Sequence, residues 1–162
     1  MDDLEVVVSD RAEQFEPLSP EQLARWSNFA AGEEILFPQF MGLRVEELRK
    51  DYARMRVPYR PEFRQPAGVM HGGVIATLID TVVVPVIGSA YDEPRAYFTV
   101  DLTVRFLAPI VDEDAVAEGW IVQRGRSIVF CDTEVRSGSG RLAATGSLVY
   151  KVSSPRASDA PE

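Results

Sequence analysis

Hydrophobic residues recur along the chain with two periods, one typical of strands and one of helices. Between residues 96 and 106 every even position is apolar, while the odd positions carry Tyr, Thr, Asp, Thr and Arg. This period of two predicts a β-strand with one apolar face, and it places Thr99 on the polar face. Residues 115–122, 128–136 and 142–152 alternate in the same way and predict three further strands joined by glycine-containing turns.

Two more alternating segments, residues 40–48 and 52–59, precede these strands, and residues 49–51 suit a hairpin loop. Between the two groups, residues 73–89 form an apolar run whose hydrophobic positions cover nearly the whole circumference of a helix. Such a helix must be buried on all sides, which an antiparallel sheet around one long helix would achieve. Pro85 is expected to kink or end this helix.

The N-terminal part of the chain predicts a separate short helix. Ser19 is a suitable N-cap, Pro20 suits the first helical position, and the helix should end near Gly32. The chain therefore divides into an N-terminal extension with a helix at 1–34, a domain at 35–152 and a flexible segment at 153–162.

Composition narrows the classes of function. A net charge of −8 over 162 residues argues against binding to nucleic acid or to anionic membranes. With one cysteine, no targeting signal and no apolar run as long as a membrane span, the sequence predicts a cytoplasmic protein. One histidine and one cysteine cannot assemble a usual zinc site, so we expect no metal.

Candidate chemistry begins in the segment Gln65-Pro66-Ala67-Gly68-Val69-Met70-His71-Gly72-Gly73. At a helix start the N–H of Gly72 has no intrahelical partner and can bind an oxyanion. Alternatively, Gly72 and Gly73 only permit a tight turn into the helix. His71 is expected to stay neutral there and to fix the loop, with a possible contact to substrate.

Asp80 is a lone carboxylate in the apolar helix. It is either a nucleophile or general base, or a buried group hydrogen-bonded to Thr77, Thr81 or the backbone. Gly72 and Asp80 are eight residues apart, which is about 12 Å along a helix. Because one carbonyl cannot reach both, a shared site requires two antiparallel helices from a two-fold dimer.

Three motifs carry a family resemblance. They are Gly68-x-x-His71-Gly72-Gly73 with Asp80 on the helix, then Thr99-Val100-Asp101-Leu102, and then Arg105-Phe106-Leu107-Ala108-Pro109. Over roughly residues 35–152 the chain resembles the hotdog-fold acyl-CoA thioesterases of the PaaI type. The resemblance implies an α+β hotdog fold, with an antiparallel β-sheet wrapped around a long central α-helix. It also implies hydrolysis of an acyl-CoA to a free acid and CoA, with no cofactor beyond the CoA of the substrate.

The resemblance also implies residue roles. Gly72 would polarise the thioester carbonyl and Asp80 would be the nucleophile or general base. Gln65 stands where the family has Asn or Gln to position the water or carbonyl, and Thr99 stands where some members orient the water. Val84 stands where other members place a Thr for that task. The expected substrate-binding residues are His71, Gly73, Phe63, Met70, Val84 and Arg126.

Within that last group, the acyl portion would lie against Phe63, Met70 and Val84. Arg126 would contact CoA phosphates, unless its turn is simply solvated. The expected assembly is a homodimer or homotetramer. Two rival functions are a non-catalytic acyl-CoA-binding or regulatory hotdog module and a hotdog dehydratase. The first would not need Asp80, and the second would need a catalytic His in a different local pattern.

Overall fold

A computed structural model describes residues 10–29, 35–93 and 95–153 of the chain. The helices are α1 (Pro20–Ser27), α2 (Phe37–Met41) and α3 (Gly72–Gly88). The strands are β1 (Arg44–Arg49), β2 (Tyr52–Val57), β3 (Tyr97–Phe106), β4 (Ala115–Arg124), β5 (Ile128–Ser137) and β6 (Leu142–Val152). The predicted end of the N-terminal helix at Gly32 lies outside the described residues, as do residues 154–162 of the segment predicted to be flexible at 153–162.

The six strands form one antiparallel sheet in the order β1-β2-β4-β5-β6-β3. One face of this sheet packs against α3, whose apolar side chains form the centre of the hydrophobic core. The predicted α+β hotdog fold, an antiparallel sheet around a long helix with an extra N-terminal helix, is therefore confirmed. Strands β1 and β3 are the two edges of the sheet.

Helix α3 is not buried all round in a single chain. Leu78, Val82 and Val86 are fully buried against the sheet, but Asp80 and Val84 are only half-buried. The prediction of complete burial is thus wrong for one chain, because the sheet wraps only part of the helix circumference. We call the uncovered strip of α3 the open stripe; it consists of Gly73, Thr77, Asp80 and Val84.

Pro85 does not end the helix, which continues to Gly88. Proline removes the N–H that would bind the Thr81 carbonyl, so the cost is one backbone hydrogen bond. The next residues, Val86 and Ile87, are fully buried. Their packing holds the last turn in place.

Two elements before α3 differ from the sequence prediction. Residues 37–41 form a short helix rather than the start of a strand, because Pro38 occupies its first turn and Gly42 ends it with a left-handed φ of 72°. Strand β1 therefore begins only at Arg44. The following hairpin turn is shorter than predicted, since Arg49 already pairs with Tyr52.

Helix α1 starts as predicted, with the Ser19 side chain accepting a hydrogen bond from the Gln22 N–H at 3.2 Å. It ends at Ser27, earlier than predicted, with Asn28 as its C-cap. The Gln22 side-chain amide donates to the Ser89 carbonyl at 3.1 Å. Helix α1 is therefore fixed to the C-terminal end of α3.

Candidate active site

The loop that enters α3 is held by backbone hydrogen bonds. Gly68 closes a turn by donating to the Gln65 carbonyl at 2.9 Å, and its left-handed φ of 81° is a conformation that suits glycine. Met70 donates to the Ile110 carbonyl at 2.8 Å, and His71 donates to the Phe63 carbonyl at 2.7 Å. The first residue of α3 is thereby fixed in position against the loop after β3.

His71 caps the helix. Its Nδ1 accepts a hydrogen bond from the Gly73 N–H at 2.9 Å, so the ring fixes the loop as the sequence predicted. An accepting Nδ1 carries no proton, which makes His71 an acceptor here and not a proton donor from that nitrogen. The cap occupies the N–H of Gly73 and leaves that of Gly72.

Gly72 is the first residue of α3, and among the described residues no acceptor is paired with its N–H. The Phe106 ring packs directly over it, since a Cβ added at Gly72 would lie 3.1 Å from a ring carbon. A cleft of about 380 Å³ opens beside it and includes Gln65 and Met70 in its lining. The structure thus places Gln65 and Met70 next to Gly72. The unpaired N–H of Gly72 lies at the N-terminus of α3, where the helix dipole is positive.

Asp80 lies in the middle of α3 and is held by two hydroxyl groups. The Thr99 Oγ1 donates to Asp80 Oδ1 at 2.8 Å, and the Tyr150 hydroxyl donates to the same oxygen at 2.7 Å. The Tyr150 oxygen is also 2.8 Å from the Asp80 backbone carbonyl. Both donors bind Oδ1, and within the described residues no donor is paired with Oδ2. The second oxygen therefore remains able to act on a ligand.

Thr99 reaches Asp80 because strand β3 contains a β-bulge. Thr99 pairs with Tyr150, whereas Asp101 pairs with the adjacent Val149, so Val100 is the extra residue. A bulge reverses the alternation of side chains on one side of it. The prediction that Thr99 lies on the polar face is thus wrong: it lies on the helix-facing side with Leu102.

Tyr150 is a site residue that sequence reasoning missed. Tyr150 is 2% exposed. Burial, and to a smaller extent the neighbouring Asp80 carboxylate, raises the pKa of its hydroxyl well above the ordinary value. Tyr150 therefore stays a neutral donor to Asp80. The available signal was a phenol at a position that alternates with Leu148 on the apolar face of the predicted last strand.

The remaining predicted residues lie apart from these two groups. Phe63 is 7% exposed in the core, with the Arg60 guanidinium 4.2 Å above its ring, and it does not line the cleft. Arg126 is exposed in the turn between β4 and β5. Val84 lies one turn beyond Asp80 on the open stripe. Their binding roles stay predictions.

Neither a membrane-spanning helix nor a metal cluster is found in the part of the chain that the structure describes. No helix there is long and apolar enough to cross a membrane. No group of three or more His, Cys, Asp or Glu side chains is arranged there to hold a metal ion.

Comparison with known proteins places this site in a family. The model of the thioesterase superfamily matches residues 67–144. A protein of Deinococcus radiodurans named "Putative esterase" is 33% identical over 139 residues, which are 82% of this chain and 84% of that protein.

Solved structures show the same fold. The PaaI protein of the Escherichia coli phenylacetic acid degradation operon superposes with a TM-score of 0.74 at 17% identity, over 85% of this chain and 98% of that one. A hypothetical thioesterase protein of Streptococcus pneumoniae, solved with coenzyme A, gives a TM-score of 0.64 at 20% identity, over 71% and 88% of the two chains. The chain belongs to the thioesterase superfamily. Its fold is the hotdog fold of the PaaI-like thioesterases.

Proposed function

We propose that this protein hydrolyses an acyl-CoA thioester to a carboxylic acid and CoA, at a site shared by two copies of the chain. The observation that carries the proposal is a pair of half-sites on one helix. The free N–H of Gly72 is at its start, and the carboxylate of Asp80, held on one oxygen, is in its middle. Membership of the thioesterase superfamily supports the reaction type. The coenzyme A bound to the Streptococcus pneumoniae protein supports CoA as the leaving group.

In the proposed reaction the thioester carbonyl accepts a hydrogen bond from Gly72 of one copy, which stabilises the developing oxyanion. Asp80 of the other copy takes a proton from water, whose oxygen bonds to the carbonyl carbon. The carbon–sulfur bond then breaks, and the CoA sulfur leaves with the proton that Asp80 had taken. Direct attack by Asp80, through a mixed anhydride that water cleaves, would give the same products.

The supporting residues have distinct tasks in this proposal. Thr99 and Tyr150 hold Oδ1 of Asp80, which keeps Oδ2 directed at the water or the carbonyl carbon. Gln65 beside the Gly72 cleft positions the carbonyl or the water. The acyl group starts between Met70 and Val84, and the CoA phosphates extend towards the surface. Arg126 is available there as a cation.

The edge strand β3 supports the participation of a second copy. Phe98, Val100 and Phe106 on this edge are each more than half exposed. An apolar strand edge with unpaired backbone groups is a template for another strand. Because Thr99 on β3 contacts Asp80, pairing at this edge would place the partner chain next to the half-site. A tetramer would be two such dimers.

The test is a free-thiol release assay with short, medium, long and aryl acyl-CoAs. We expect turnover of at least one substrate and its loss in the Asp80→Asn variant. If the folded wild-type protein binds acyl-CoA but hydrolyses none of the panel, the acyl-CoA-binding module replaces the enzyme as the better account.

A further inference from the structure

A second pocket lies at the C-terminal end of α3, away from the Gly72 cleft. Its volume is about 260 Å³. Four aromatic side chains and a glycine line it, together with three charged residues. The aromatic residues and the glycine, which we call the aromatic pocket, are Trp26, Phe29, Tyr91, Tyr97 and Gly88.

Helix α1 builds one wall of this pocket. Its Trp26 ring lies directly on Gly88, since a Cβ added at Gly88 would be 2.0 Å from a ring carbon. The Arg25 guanidinium donates to the Asp92 carbonyl at 2.8 Å, which ties the helix to the loop after α3. Residues 67–144 are the part matched by the family model. Trp26 and Phe29 therefore come from a segment outside the matched region.

The aromatic pocket is in line with the candidate active site. Asp80, Val84 and Gly88 follow one another at intervals of one helical turn along α3, and Val84 between them is only half-buried. On β3, Tyr97 and Thr99 are two residues apart and share the helix-facing side. Helix α3, which carries Asp80, and strand β3, which carries Thr99, thus both extend from the candidate active site to the aromatic pocket. The eight residues from Asp80 to Gly88 span about 12 Å along the helix.

Charged groups lie at the rim of the pocket, whereas its walls are aromatic. The Arg95 guanidinium lies 4.4 Å from the centre of the Tyr91 ring, and Arg25 is bound to the Asp92 carbonyl. Glu93 is at the same rim and reduces the net positive charge there. Inside this rim, the pocket offers ring surfaces that exclude water from hydrocarbon.

We propose that the aromatic pocket receives the far end of a medium-chain acyl group whose thioester lies at Asp80. An extended chain advances about 1.2 Å per bond, so about ten carbons are needed to span the 12 Å. This inference rests on the proposed thioesterase function and assigns its substrate class. Short acyl groups end before the pocket, so the pocket adds nothing to their binding.

The kinetic test compares butyryl-, hexanoyl-, octanoyl-, decanoyl- and dodecanoyl-CoA. In the wild type kcat/KM should rise about threefold or more for each methylene that enters the pocket. The Trp26→Ala and Phe29→Ala variants should lose that rise, so that the ratio of kcat/KM for decanoyl-CoA to kcat/KM for butyryl-CoA falls. Leu23→Ala is the matched control, because Leu23 is on the same helix but 44% exposed and outside the pocket lining. An unchanged chain-length profile in both pocket variants would overturn the proposal.

A binding experiment separates this proposal from the catalytic one. The sequence has two tryptophans, so in a Trp120→Phe variant the emission reports on Trp26. Titration with decanoate should change that emission saturably, whereas butyrate at equal concentration should not. If decanoate binds but no thioester is hydrolysed, the proposed acyl-binding role of the pocket stands and the proposed thioesterase function is contradicted. If thioesters are hydrolysed but decanoate does not change the emission, the acyl-binding role is contradicted and the thioesterase function stands.

Discussion

The two edges of the sheet are built in opposite ways. On the β1 edge, Glu46 and Glu47 form ion pairs with Arg54 of the neighbouring strand β2. Pro17 forms a bridge to Arg49 and covers the end of this edge. On the β3 edge, by contrast, Phe98, Val100 and Phe106 are more than half exposed.

If two copies of the chain associate as proposed, this difference favours the β3 side for the contact. Charged side chains and covering segments are the usual protection of an edge that stays unpaired. The β1 edge has both, whereas the β3 edge presents apolar side chains. The half-site is also on the β3 side, because Thr99 binds Asp80. In the proposed function, one strand edge would therefore both hold Thr99 against Asp80 and contact the partner chain.

The largest expected effect comes from Asp80→Asn. Removing the charge without changing the shape should lower kcat by about 10²- to 10⁴-fold, because the amide cannot act as a base or nucleophile. The matched control is Asp101→Asn, which removes an exposed charge from β3, the strand that carries Thr99, and should keep near-normal kcat. Steady-state thiol release measures both. Wild-type turnover in Asp80→Asn would remove Asp80 from the chemistry.

The next largest effect is expected when a charge is placed on one edge of the sheet or on the other. Val100→Glu puts a charge on an exposed apolar position of the β3 edge and should give a monomer with at least tenfold lower activity, since each half-site loses its partner. Arg44→Glu introduces the same side chain at an exposed position of the β1 edge and should leave oligomer and activity intact. Analytical sedimentation measures the oligomeric state of each variant, and the thiol-release assay measures its activity. A fully active monomer would contradict the shared site.

A smaller effect is expected from Tyr150→Phe. The loss of one hydrogen bond to a carboxylate should lower kcat about tenfold with little change in KM. Tyr52→Phe is the counterpart near the β1 edge, where a buried phenol donates to Glu118. It should cost stability without lowering kcat. Equal kcat values for the two variants would deny Tyr150 a role at the site.

The smallest effect concerns pH. Burial raises the pKa of the Cys131 thiol from 9.0 to about 12, so the unfolded chain loses this proton at lower pH than the folded chain. Stability from this group is therefore complete below about pH 9 and falls as the pH rises towards 12. Denaturant unfolding at pH 8 and pH 10 should show a decrease that is smaller in Cys131→Ala. An equal decrease of stability in Cys131→Ala would show that other groups cause it.

The sequence predicted those features that depend on local pattern. The start of α3 and the four long strands follow from periodicity and the glycine turn from its residue types, whereas the two-chain site inferred from the spacing of Gly72 and Asp80 stays a prediction. The inward position of Thr99 could not be predicted, because the bulge at Val100 is set by pairing with β6 and not by the β3 sequence. Tyr150 was missed for the same reason, since its contact with Asp80 joins residues 70 positions apart.

Elements with special residues were also harder to predict. Pro85 suggested a kink or an end to α3, but tertiary packing of its last turn outweighs one missing hydrogen bond. The position of α1 depends on the contact of Trp26 with Gly88, and neither residue indicates the other in the sequence. Local signals thus defined the elements, whereas the contacts between them completed the candidate site.

The most direct test of the shared site is complementation between two inactive chains. Gly72→Pro removes the N–H at a helical position where proline is tolerated, and Asp80→Asn removes the carboxylate. Each variant alone should be inactive. A heterodimer purified through two different tags has one site with both native residues, so it should recover about half of the wild-type activity. If the heterodimer is no more active than either parent, Gly72 and Asp80 do not act across two chains.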